Sequence, residues 1–194
     1  AEGGILVDAD SGTVLYGKNI HQRYYPASIT KILTALIVIE RCKLDDTITF
    51  SYDAVHNVES GSTSAGYGVG DKITVREALY ALLLRSANEV ANALAEHCAG
   101  SREAFARLMN EKAASLGCKE SHFTNPSGLN DENHYTTAYD YSLIAMAAFK
   151  NPTFVEFDST TYYELPPNSA NAEPFTIYCG HKMLKKSSGL YYPG

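Results

Sequence analysis

Ser28 and Lys31 stand three residues apart in the run Tyr25-Pro-Ala-Ser-Ile-Thr-Lys31, a spacing that puts two side chains on one face of a helix, about one turn apart. A serine hydroxyl is a weak nucleophile until a neighbouring base takes its proton. A lysine can be that base only if removal from water lowers its pKa. The following residues supply the burial. Ile29, Ile32, Leu33, Leu36, Ile37, Val38 and Ile39 cover most of the circumference of a helix expected over 27–41, which marks it as a buried central helix with Lys31 as its charged exception. Low dielectric and the positive end of the helix dipole both disfavour an ammonium there. Ser28, just after Pro26, sits at the helix start, where N–H groups and the dipole favour a developing oxyanion. That combination suits acyl transfer. The plainer reading makes Ser28 a helix cap and Lys31 a surface lysine, since about one Ser-x-x-Lys arises by chance in a chain of this size.

Ser86-Ala-Asn88 forms a second constellation, between two expected helices, where a short connection can aim a hydroxyl and an amide into a cleft. Ser86 with Glu89 also fits a capping box, which would explain the serine but not Asn88. Neither pattern is decisive alone.

The elements that must position these residues follow from pattern. Runs at 4–8 and 13–16 around Asp10-Ser-Gly read as an antiparallel hairpin. A short strand is expected at 47–51, and 60–70, rich in Gly and Ser, reads as a flexible loop. Helical periodicity marks 75–85, 89–98 and 101–116, the last opened by Ser101 and ended near Gly117. Asn125-Pro-Ser-Gly-Leu-Asn is turn chemistry, and Thr137 with Asp140 resembles a capping box opening a helix to about 150. Strands are expected at 160–165 and 176–179, and Tyr191-Tyr-Pro-Gly194 reads as a turn. Sheet at both ends with helices between implies an α+β arrangement in which N- and C-terminal strands pair. The sheet so formed is small, with exposed edges that proteins usually avoid.

Composition narrows the function classes. With 194 residues, 45% hydrophobic and 20% charged, the chain can bury a core as one domain over 1–194, with a helical subdomain at about 45–150. A net charge of −6 leaves no basic field for nucleic acid or an anionic membrane surface. The longest apolar run, 32–39, is far short of a spanning helix, and the opening Ala-Glu-Gly-Gly reads as cytosolic or as a secreted chain already trimmed. Cys42, Cys98, Cys118 and Cys179 contain no CxxC pair and read as buried free thiols. Metal ligation through His97-Cys98 or Cys118 and His122 lacks a second paired motif, so no metal or cofactor is expected.

Taken together, Ser28-Ile-Thr-Lys31 and Ser86-Ala-Asn88, in this order with a helical segment between, resemble the first two signatures of the penicillin-binding protein and serine β-lactamase superfamily. Arg85-Ser-Ala-Asn-Glu before an alanine-rich helix, Thr124-Asn-Pro-Ser-Gly-Leu and His134-Tyr-Thr-Thr-Ala-Tyr-Asp bring the resemblance closest to the D-alanyl-D-alanine carboxypeptidases. The resemblance implies a β-lactamase/transpeptidase-like fold, an antiparallel sheet packed with helices. It also implies Ser28 as acylated nucleophile, with its own N–H as half of the oxyanion hole, and Lys31 as its base. Ser86 would be a proton relay toward the leaving group, and Asn88 a donor to the substrate amide. The implied substrate is the peptidoglycan pentapeptide outside the cytoplasm, with β-lactams as inhibitors. A β-lactamase or transpeptidase on the same scaffold is the alternative within the superfamily, and a non-catalytic binding module that keeps Ser28 only as a cap is the alternative outside it.

One departure stands out. The third signature, Lys-Thr-Gly on a sheet-edge strand, is absent, because Lys185-Lys-Ser-Ser-Gly189 does not match it. The stretch Gly189-Leu-Tyr-Tyr-Pro-Gly194 resembles what precedes that signature in the family. With the unfinished sheet, this leads us to expect a C-terminal fragment of the same protein that completes the sheet and supplies a carboxylate-gripping lysine. His181-Lys-Met-Leu departs from the family's usual asparagine at the first position.

Overall fold

A computed structural model describes residues 1–181 and 189. Strands β1 (Gly4–Val7), β2 (Val14–Lys18) and β3 (Arg23–Tyr24) lead into a single 3-10 turn (Ala27–Ile29) and helix α1 (Thr30–Arg41). There follow β4 (Thr47–Thr49), α2 (Tyr52–His56), β5 (Lys72–Thr74), α3 (Val75–Arg85), α4 (Asn88–Ala99) and α5 (Arg102–Ser115). The chain continues through β6 (Thr136–Thr137), α6 (Ala138–Phe149), α7 (Pro152–Asp158), β7 (Tyr162–Leu165) and β8 (Phe175–Tyr178). The α+β class follows from this inventory.

Helix α1 is central because it is apolar nearly all round. Its Leu33, Ala35, Leu36, Ile37 and Val38 are buried, and α3, α4, α5, α6 and α7 all pack against it. Leu79 and Leu82 of α3, Val90 and Leu94 of α4, Phe105 and Met109 of α5, Ile144 of α6, and Phe154 and Phe157 of α7 complete one continuous core. Each such side chain withdrawn from water contributes about 1.5–3 kcal/mol, so the helix carrying Lys31 is fixed from every side.

The helix starts are capped as their residue types require. Thr74 and Glu77 form a reciprocal capping box on α3, Ser101 accepts from the Ala104 N–H, and Asn151 caps α7 with Pro152 in its first turn. Ser51 accepts from the Ala54 N–H to start α2, which is why β4 ends at Thr49 and not at 51. Thr137 caps α6 as expected. The Asp140 carboxylate, however, does not return to the cap; it accepts from the Lys119 and Glu120 N–H groups and the Ser121 hydroxyl. Three nearby donors outcompete one.

Among the described residues the strands form four antiparallel pairs, β1–β2, β3–β6, β4–β5 and β7–β8. The terminal ribbons, expected to pair with each other, are therefore separate, each satisfied by its own neighbour in sequence. They leave Leu6, Leu15 and Tyr16 exposed on the first ribbon and Tyr162 and Tyr178 on the second. A strand was read at β4, but β3, β5 and β6 escaped the sequence reading because two or three residues carry no periodicity. The expected turn at 191–194 lies outside the described residues.

Candidate active site

The turn that carries Ser28 is tightly constrained. Pro26 fixes its entry, and Ala27 takes a left-handed conformation with φ of 50°, a costly choice for a residue with a Cβ. Tyr141, buried, donates its hydroxyl to the Ile29 carbonyl, and its pKa is pushed up by burial. Gly128 backs the turn so closely that a Cβ there would lie 1.9 Å from the Ala27 carbonyl oxygen, and its φ of +85° favours glycine independently. Ser28 itself faces solvent.

Lys31 lies directly behind it, only 2% exposed. Its Nζ is 3.4 Å from Ser28 Oγ and donates to the Ser127 carbonyl at 2.8 Å. Burial lowers its pKa from 10.5 to about 8, against the opposing pull of the Glu89 carboxylate. A neutral amine has two N–H groups and one lone pair. With one N–H spent on Ser127, the lone pair is free to accept the Ser28 hydroxyl proton.

The carbonyl that receives Lys31 is itself positioned by Asn125, whose Oδ1 accepts from the N–H groups of Ser127, Gly128 and Leu129 and from the Ser127 hydroxyl. Thr34 donates to the Pro126 carbonyl and ties the same loop to α1. His134 supports the other flank. The Thr124 N–H donates to its Nδ1, so the ring proton sits on Nε2 and is donated to Thr30 Oγ1 at 2.9 Å. Burial lowers the His134 pKa to about 4, which keeps the ring neutral.

Ser86 ends α3 in a left-handed conformation (φ 59°), which breaks the helix and turns the chain into α4. Its Oγ is buried without a partner among the described residues, and the Asn88 side chain likewise makes no hydrogen bond there. The Ser86–Glu89 capping box does not form. Glu89 Oε1 instead accepts from Ser64 Oγ and from the Ala65 and Gly66 N–H groups. Thr63 Oγ1 donates to the Ser86 carbonyl, the Asn88 N–H donates to the Thr63 carbonyl, and Arg85 Nε donates to the Ser64 carbonyl. The Gly/Ser loop expected to be flexible is thus laced onto the turn that bears Ser86 and Asn88.

The structure brings Ser28 and Lys31 into direct reach of each other. It links the Ser86–Asn88 turn to Lys31 through the charge of Glu89. No hydrogen bond joins Ser86 Oγ or the Asn88 side chain to Ser28 or Lys31 among the described residues. A cleft of about 1190 Å³ opens beside Ser86, between Thr63–Ala65, the end of α3 and β8, and neither Ser28 nor Lys31 lines it. Its outline is that of the described residues alone. The stretch 185–189, apart from Gly189, falls outside them.

Comparison with known proteins decides the family. The profile of the D-alanyl-D-alanine carboxypeptidases matches residues 1–179. The chain belongs to that family. It is 34% identical to the D-alanyl-D-alanine carboxypeptidase DacF of Bacillus subtilis over its whole length, covering 49% of that protein. It is 36% identical to DacB2 of Mycobacterium tuberculosis over 91% of the chain and 60% of that protein. The chain thus spans about half the length of the curated relatives it matches. A D-alanyl-D-alanine carboxypeptidase structure from M. tuberculosis superposes with a TM-score of 0.88 at 32% identity, covering 100% of this chain and 70% of that one. The Streptomyces K15 DD-transpeptidase does so with 0.87 at 31% identity, covering 97% and 77%. The penicillin-binding fold expected from the two motifs is thereby established.

Two groups of site residues escaped the sequence reading. Glu89 was absorbed into an apparent capping box, although an acidic residue opening an alanine-rich helix was the available signal. Asn125 and Ser127 were seen as turn formers and as part of a family-like stretch, with no role given to either at Lys31. The need of a buried amine for an acceptor signalled that some carbonyl must meet Lys31, but not which one.

Proposed function

We propose that this chain carries the nucleophile and base of a serine D-Ala-D-Ala carboxypeptidase acting on peptidoglycan stem peptides outside the cytoplasm. The reading is supported above all by the buried Lys31 amine 3.4 Å behind an exposed Ser28 hydroxyl. The neutral amine takes the Ser28 proton as Oγ attacks the carbonyl of the terminal D-Ala-D-Ala bond. The Ser28 N–H, at the start of the helical turn, faces the developing oxyanion. The leaving D-alanine receives a proton, passed by Ser86 in the role the family implies, and its departure leaves an acyl ester on Ser28 that water then hydrolyses. Asn88 donates to the substrate amide in the same reading. A β-lactam would follow the first half of this path and stop at the ester. The 3.4 Å separation is long for a hydrogen bond and shortens when substrate fills the site.

A fluorescent penicillin tests this: the label maps to Ser28, and Lys31→Ala loses several orders of magnitude in acylation. A folded, complete protein that takes no label would refute it. Transpeptidation is the second reading, supported by the likeness to the Streptomyces K15 DD-transpeptidase. Water against an amine acceptor as the agent that clears the acyl-enzyme separates the two. Exposed Leu6, Leu15 and Tyr16 on the β1–β2 ribbon further support a C-terminal fragment of the same protein as the partner that completes the sheet. Native mass spectrometry detects such a fragment directly, and a native preparation without one counts against it.

A further inference from the structure

The loop between β7 and β8 carries a tight turn at 168–171, closed by Asn168, whose Oδ1 accepts from the Ala170 and Asn171 N–H groups and from the Asn171 side-chain amide. This turn is seated on the loop that Glu89 clamps beside Ser86. Asn168 Nδ2 donates to the Ala65 carbonyl at 3.0 Å, and the Ser169 N–H and hydroxyl donate to the two carboxylate oxygens of Asp71, each at 2.9 Å. Asp71 also accepts from the Gly68 N–H at 2.8 Å. Ala65 is thus gripped twice, its N–H by Glu89 and its carbonyl by Asn168. Burial would raise the Asp71 pKa, but the bonds from Gly68 and Ser169 outweigh it and hold the carboxyl below its ordinary value, ionised and acceptor-only at neutral pH. The fit leaves no slack. A Cβ on Gly66 would lie 2.7 Å from Ala170 Cβ, and one on Gly68 2.8 Å from Ser169 Cβ.

The two partners in this contact also line the cleft beside Ser86, Thr63–Ala65 from the loop and Asn171 with residues 175–181 from the ribbon. Leu165 and Ile177 are buried and both strands pack against α3, so the ribbon is fixed at its base by packing and at its turn by Asp71 and Asn168. We propose that Asp71 and Asn168 are positioning residues: they latch the β7–β8 turn onto the loop beside Ser86 and so set the width of the cleft that receives the peptide next to the scissile bond. The proposal rests on the acyl-enzyme reading above, in which Ser86 and Asn88 meet the substrate here. Ser28 and Lys31 do not line this cleft, so the latch governs how the peptide is held and not how the hydroxyl is activated.

Gly68 lies outside the left-handed region, so its backbone accepts alanine and the Ser169 side chain is what obstructs it. Gly68→Ala therefore drives the turn off the loop. Adding Ser169→Gly removes the Cβ and Oγ that the new methyl strikes and keeps the Ser169 N–H for Asp71. From the other side, Asp71→Ala strips the acceptor from three donors, whereas Asp71→Asn keeps an oxygen for the two N–H groups and turns its amide to the Ser169 hydroxyl, which can accept. The full-length protein is assayed for kcat and KM on a tripeptide ending in D-Ala-D-Ala, and for hydrolysis of p-nitrophenyl acetate, an ester small enough to need only Ser28 and Lys31. Gly68→Ala and Asp71→Ala should each raise KM for the tripeptide about tenfold and leave ester hydrolysis unchanged. Gly68→Ala with Ser169→Gly, and Asp71→Asn, should bring KM back to near the wild-type value. A merely structural role would lower both activities together. Equal loss on both substrates, an unmoved KM, or second changes that restore nothing overturn the latch, and either pair decides if a member of the other fails to fold. Wild-type protein that turns over neither substrate refutes the acyl-enzyme reading itself, and the latch with it.

Discussion

Acylation of Ser28 should follow the ionisation of Lys31, and the structure fixes where on the pH axis it does so. Burial lowers the Lys31 pKa from 10.5 to about 8. At pH 7 an amine with a pKa of about 8 is roughly 9% neutral, against about 0.03% for an ordinary lysine, a gain of some 300-fold, or about 3.4 kcal/mol, in the population able to accept a proton. The second-order rate of acylation by a penicillin should therefore rise about tenfold from pH 7 to a plateau above pH 9, with its midpoint near 8, because this rate reports the free enzyme. Stopped-flow acylation across pH 6–10 measures it. Glu89 supplies a control. Its carboxylate raises the Lys31 pKa, so Glu89→Gln should move the midpoint to lower pH while keeping an Oε1 acceptor for Ser64, Ala65 and Gly66. Lys31→Arg should be as inert as Lys31→Ala, since a guanidinium stays charged. A midpoint at pH 10 or above, or a flat profile with full activity in Lys31→Ala, would refute the assignment of Lys31 as base.

Other expectations follow from the same packing. Gly128→Ala places a Cβ against the Ala27 carbonyl and 2.9 Å from Thr30 Oγ1; it should cost roughly 1–3 kcal/mol of stability and slow acylation by shifting the Ser28 turn, and an unchanged Tm and rate would show that the turn gives way freely. His134 is held neutral with a folded pKa of about 4 against 6.5, so the unfolded chain binds the extra proton between these values. The stability tied to the neutral ring is complete above pH 6.5 and is lost as pH falls toward 4, by up to roughly 3 kcal/mol. Urea titrations of wild type and His134→Gln should show a shallower acid slope in the variant. Lys31 works in the same direction at higher pH: its protonated form burdens the fold below about 8, and stability rises as pH climbs from there to 10.5. Lys31→Met should flatten that limb in the same titrations.

What the sequence revealed and what it hid divide by distance along the chain. Three residues separate Ser28 from Lys31, and helical geometry alone converts that into proximity. The apolar residues around Lys31 announce its burial just as locally. The bounds of α3 were read residue for residue, because its cap, its periodicity and its end are all written within the segment. The groups that tune the site are not local. Ser127 is 96 residues from Lys31, and Glu89 is 24 residues from the Ala65 N–H it accepts from. Glu89 was misread because Ser86-x-x-Glu89 satisfies a local rule that the left-handed backbone of Ser86 forbids.

That misreading shows how the site is built. A capping box would have drawn the Glu89 carboxylate back onto its own turn. The break at Ser86 sends it instead to the 63–66 loop, and from there its charge reaches Lys31. The same carboxylate therefore opposes the desolvation that makes Lys31 a base and anchors the loop beside Ser86. Burial alone would push the amine lower, toward a weaker base; the buried acid holds it near 8, where a neutral amine is both populated and basic enough to take a hydroxyl proton.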